Sequence, residues 1–67
     1  MNIIPMRIEI MLAKKRMTKA TLAEKSGVSR QNISTIVRRG TCSPITAGKL
    51  AAALGVEVVD LTERKEN

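Results

Sequence analysis

The feature that most constrains this chain is the break at Ser26-Gly27, set between two short apolar–polar repeats in residues 19–38, KATLAEKSGVSRQNISTIVR. Upstream of the break, Leu22 and Ala23 are adjacent apolar residues with Lys19, Glu24 and Lys25 around them. Downstream, Ile33, Ile36 and Val37 recur at i, i+3, i+4, the spacing of one helix face. Glycine just past a helix is the usual left-handed cap, because it takes positive φ without a Cβ clash. Ser29 restarts the chain as an N-cap, its hydroxyl placed to accept from a backbone N–H of the next turn. Val28 and Ile33 then stand at N′ and N4, the positions of a hydrophobic staple. The pattern predicts two short helices joined by a tight turn at Gly27, the second running from about Arg30 to Arg38.

The polar face of that second helix carries Arg30, Gln31, Asn32, Ser34, Thr35 and Arg38. It is rich in hydrogen-bonding groups and contains no acid. The chain as a whole is basic, with net charge +6 and a pI near 10.3. The charge is uneven: residues 10–56 hold nine Lys/Arg and one acid, Glu24, whereas 57–67 hold four acids and two bases. A basic body with a mildly acidic tail points to a polyanionic partner contacted away from the C-terminus. The chain has no Phe, Tyr or Trp. The common modules for single-stranded nucleic acid stack bases on such rings, so a duplex is the better fit.

The stretch 19–38 resembles the helix-turn-helix of the phage Cro and repressor (Xre-type) family. With Lys19 as the first motif position, Ala23 falls on the small residue where the two helices touch, and Gly27 falls on the turn glycine. Leu22, Val28, Ile33 and Ile36 fall on the apolar positions, making six matches of defined type at defined spacing. The likeness extends over roughly residues 6–61, with Met11-Leu12 and Pro44 to Val56 similar to the family's first and fourth helices. One departure is Arg38-Arg39-Gly40, a residue longer than the family's usual helix end, which leaves the course of the following loop open. The resemblance implies an all-α fold, a compact bundle of four to five short helices with a central helix-turn-helix, as in lambda-repressor-like DNA-binding domains. It implies base contacts from the start of the third helix and one turn on, at Arg30, Gln31 and Thr35, with Ser34 next. It also implies phosphate contacts at the second helix's N-terminus, from Thr18 and Lys19; by their own chemistry and position, Ser29, Asn32, Arg38, Arg39 and Thr41 are expected to reach phosphate too. The residue chemistry agrees: Arg grips guanine O6/N7, Gln grips adenine N6/N7, and Thr offers a methyl or a hydroxyl.

The flanks fit such a bundle. Residues 1–4, apolar at Ile3 and Ile4, are expected to be a frayed end, the alternative being a short strand in a partner contact. Pro5 suits the first position of a helix, where its missing N–H costs nothing. That helix runs to about Arg16, with Ile8, Met11 and Leu12 at helical spacing. Lys14-Lys15-Arg16 match its negative end and are equally placed to attract phosphate. Thr18 caps the next helix, with Met17 stapled to Leu22. Gly40 caps the third helix, and Ser43-Pro44 opens a fourth whose core stripe is Ala47, Leu50, Ala51 and Leu54. Gly48 sits mid-helix at a cost of about 1 kcal/mol against Ala, explained either by close helix contact or by a relaxed surface position. One further turn around 58–62 is expected to lid the core, and 63–67 to fray. Cys42 is expected to be a small, semi-buried residue.

At 67 residues the chain is expected to be one helix-turn-helix domain over 1–67, without a separate effector or dimerisation domain. One cysteine and no histidine exclude an internal disulfide and a His/Cys zinc site, and suit a reducing cytoplasm. No apolar run approaches a membrane span and no signal-peptide pattern opens the chain. No catalytic constellation is present, since histidine is missing and the carboxylates are scattered. Gly40 to Gly48-Lys49 is not a phosphate-binding loop: seven residues separate the glycines where four are needed, and Leu50 replaces the required Ser/Thr. The expected function is sequence-specific binding to double-stranded DNA as a transcriptional regulator, a repressor, acting as a homodimer without cofactor, metal or small-molecule ligand. The alternative is a protein-interaction module of the same fold, of antitoxin or anti-repressor type. A polar third helix favours DNA, because a protein-docking face carries apolar anchors.

Overall fold

The computed structural model describes residues 1–62. The tail 63–67, expected to fray, lies outside the described residues. Four α-helices follow in order: α1 (Pro5–Lys15), α2 (Lys19–Ser26), α3 (Arg30–Arg39) and α4 (Pro44–Leu54), closed by a 3-10 turn, Val58–Leu61. The all-α bundle expected from the sequence is what forms, and α3 extends one residue past its expected end.

The helix starts are set by hydroxyls. Thr18 Oγ1 accepts from Thr21 N at 3.1 Å, Ser29 Oγ from Asn32 N at 3.1 Å, and Ser43 Oγ from Thr46 N at 3.2 Å. Each satisfies one of the N–H groups that a helix start leaves without an internal partner. α1 has no side-chain cap and begins on Pro5 instead. It ends on Arg16, a non-glycine residue in the left-handed region at φ 54°. The Arg16 and Met17 amides there bond back to the Ala13 and Leu12 carbonyls at 3.2 and 2.9 Å, which holds the chain in that conformation.

The turn between α2 and α3 is built as the sequence predicts. Gly27 takes φ 76° and its N–H reaches Ala23 O at 3.0 Å. Ser26 adds a contact, its hydroxyl accepting from Val28 N at 3.1 Å. Val28 and Ile33 on the far side are both buried.

Every helix sends at least one side chain fully inside: Ile8, Leu22, Ile33, then Leu50 and Leu54, with Leu61 from the 3-10 turn. α2 packs against α3 and α4, α1 against α3 and the 3-10 turn, and the turn against α4. Leu61 thus lids the core as expected. Truncating any such side chain to Ala costs about 2–5 kcal/mol, much of a small domain's stability.

The expectation of a frayed 1–4 is corrected. Ile3 is 6 % exposed and belongs to the core. Isolated bridges pair Asn2 with Thr41 and Ile3 with Thr62. Ile3 N donates to Gly40 O at 2.9 Å, Ile4 N to Leu61 O at 2.8 Å, and Cys42 N to Met1 O at 3.0 Å. Residues 1–4 are therefore a strap between the end of α3 and the 3-10 turn. An apolar side chain with a cavity to fill, plus a short ladder on both sides, outweighs the entropy that frays a free end. Arg7 reinforces the junction, donating from Nη1 to the carbonyls of Asp60 and Thr62 at 3.2 and 3.3 Å. The same strap fixes the loop after α3, whose course the sequence left open.

Gly48 is resolved as well. A Cβ added there meets nothing within 4 Å, and its φ is not positive, so no close helix contact requires glycine. Two stability changes follow, both readable by urea denaturation. Ile3→Ala should lower the unfolding free energy by about 2 kcal/mol, through lost burial and a loosened strap. Gly48→Ala should raise it by about 0.5–1 kcal/mol, by removing glycine's entropy from a helix interior.

Candidate nucleic-acid interface

α3 is anchored from one side only. Ile33 and Ile36 are 0 % and 4 % exposed, and Val37 packs partly against the same core. With 3.6 residues per turn, that inner line leaves Gln31, Thr35 and Arg38, at i, i+4 and i+7, along the middle of the outer face. Ser34 and Arg39 flank this stripe. Arg30, Gln31, Asn32, Ser34, Arg38 and Arg39 are all exposed, and Thr35 is half-buried. The four residues expected to read bases thus belong to one helix, with none taken into the core.

Thr35 differs from the others in being engaged. Its hydroxyl donates to Gln31 O, one turn back, at 3.0 Å. Ser29, exposed at the N-cap, has its oxygen occupied by the Asn32 amide, which leaves the hydroxyl proton for an outside acceptor. Thr18 is exposed and its hydroxyl both caps α2 and lies 3.2 Å from Thr21 Oγ1. Lys19 is half-buried at the first position of α2. Thr41 is exposed in the loop that the strap holds. Arg38 and Arg39 fill the last turn of α3, where cations offset the negative end of the helix as well as facing solvent.

The electrostatics follow from the sequence order. Between residues 25 and 56 there is no acid, while Lys25, Arg30, Arg38, Arg39 and Lys49 are all present and exposed. The outer face of α3 is consequently positive, with neutral amide and hydroxyl groups between the guanidinium groups. Such a face can accept from and donate to a base edge while its cations meet phosphate.

Large exposed apolar side chains lie elsewhere: Met1, Met6, Ile10, Ile45 and Val59, none on α3. Cys42 is half-buried, and burial pushes its thiol pKa up, so it stays protonated at neutral pH. The sequence missed the strap as a positioning element of this face; its signal was the Ile3-Ile4 pair beside Pro5. No helix among the described residues is long and apolar enough to cross a membrane.

Comparison with known proteins agrees with this geometry. Residues 7–67 match the Cro/C1-type HTH DNA-binding domain. Searches among curated proteins and solved structures give no significant match. The family match spans nearly the whole chain, from Arg7, the third residue of α1, onward, and includes both helices of the motif and the turn between them. The chain therefore belongs to the Cro/C1-type HTH DNA-binding domain family.

Proposed function

We propose that this protein is a sequence-specific regulator of transcription that inserts α3 into the major groove of double-stranded DNA. The observation that carries the reading is the outer face of α3: exposed guanidinium, amide and hydroxyl groups, no large apolar side chain, and no acid in the surrounding sequence. The major groove is wide enough for one α-helix, and there every base pair shows its own donor–acceptor pattern. Arg30, Gln31, Ser34 and Thr35 read base edges. Thr18, Lys19, Ser29, Asn32, Arg38, Arg39 and Thr41 meet the phosphates on either side and fix the register. The N-terminus of α2 suits that role, since a helix start offers N–H groups and partial positive charge to an anion.

The protein binds as a homodimer on two half-sites about one helical turn, ~34 Å, apart. The two shorter dimensions of the domain, 22 and 19 Å, let two copies sit side by side at that spacing. Repression is the output that occupancy alone produces, because a bound dimer excludes other proteins from the promoter it covers. Such a protein works in the cytoplasm at the nucleoid, and needs no cofactor or small-molecule ligand to bind.

A protein-docking role would use apolar anchors on α3, and the exposed apolar side chains lie off that helix. Salt dependence separates the two. Lys19, Arg38 and Arg39 bring three cations to phosphate per protomer, so log K against log salt should fall with a slope of about −3 per protomer. A flat response would remove DNA as the ligand. Gln31→Ala should cost about 1–3 kcal/mol on the preferred site and little on random duplex, measured by competition binding. Equal loss on both would mean that Gln31 reads no base.

A further inference from the structure

The bond between Thr35 and Gln31 has a forced direction. Oγ1 lies 3.0 Å from the Gln31 carbonyl oxygen, and a carbonyl oxygen has no proton to give, so the hydroxyl donates. A hydroxyl has a single proton and two lone pairs. With the proton committed to the helix backbone, Thr35 offers a ligand only acceptor capacity at Oγ1 and the methyl group beside it. Thr35 shares the outer stripe of α3 with Gln31 and Arg38 and is only half-buried, so this acceptor is reachable from outside.

The donors on major-groove base edges are the exocyclic amines, N6 of adenine and N4 of cytosine; guanine O6 and N7 and thymine O4 are acceptors. We propose that Thr35 is a specificity-determining residue of one polarity, accepting from an adenine or cytosine amine and disfavouring a keto oxygen in the same place. This rests on the reading of α3 as the helix in the groove. A keto oxygen facing Oγ1 sets acceptor against acceptor. Relieving that clash requires Thr35 to release Gln31 O, exchanging one hydrogen bond for another with no net gain. Arg30 and Gln31 carry donors, and are indifferent to this rule.

The test is a selection of bound duplexes from a random pool with the wild-type protein, Thr35→Val and Thr35→Ser, followed by base-analogue binding. Thr35→Val keeps the β-branched shape and removes Oγ1, while Thr35→Ser keeps the hydroxyl and its bond. At one position of the selected site, wild type and Thr35→Ser should prefer an amine-bearing base, and Thr35→Val should lose that preference about fivefold, the worth of one neutral hydrogen bond. Replacing that base by the analogue lacking its amine, purine for adenine or pyrimidin-2-one for cytosine, should weaken wild type by the same factor and leave Thr35→Val unchanged. A selectable site whose preferences are identical in wild type and Thr35→Val would overturn this proposal and leave the reading of α3 standing, as would equal weakening of both proteins by the analogue. Failure of wild type to select any duplex would overturn both.

Discussion

Burial of Ile33 and Ile36 on one side of α3 is the constraint from which the rest of the site follows. Helical periodicity is rigid: once two side chains a turn apart are drawn into the core, the azimuth of every other residue in the helix is fixed. Gln31, Thr35 and Arg38 face outward because those isoleucines face inward. The same burial holds α3 against α1 and α2, so the helix is presented at a set angle. A polar helix this short would not persist alone in water, because helix nucleation is costly and propagation gains little per residue. Its order is supplied by the apolar residues that it shares with the core.

The connections achieve much with few atoms. Three hydroxyl caps define where α2, α3 and α4 begin. At the turn, the left-handed Gly27 and the Ser26 hydroxyl account for backbone groups that an eight-residue helix would otherwise leave to solvent. The three-residue link Gly27-Val28-Ser29 combines cap, staple and new N-cap. That compactness is what holds the two helices of the motif in fixed relation. It also explains why six residues at fixed spacing were enough to indicate the family, which the match over residues 7–67 bears out.

Legibility in the sequence was uneven, and the reasons are physical. Helices, caps and the inner stripe of α3 are encoded within a few residues of one another, so α2, α3 and α4 were readable almost to the residue. Residues 1–4 were not. Their partners, Gly40, Thr41, Leu61 and Thr62, are distant in the chain, and a two-residue bridge has no periodicity to detect. Arg7 likewise reads as one more surface cation until its contacts with the 3-10 turn are known. Gly48 lay between two explanations that differ only in what surrounds it.

The sequence by itself determined the helical class, the motif, the polarity of α3's faces and the basic character of the body, because these depend on local spacing and composition. Tertiary structure alone decided that the N-terminal segment belongs to the core and pins the loop after α3, and that Gly48 faces open space. It also decided which hydrogen-bonding capacity of Thr35 is left for a partner, since a rotamer is chosen only once the backbone around it is in place.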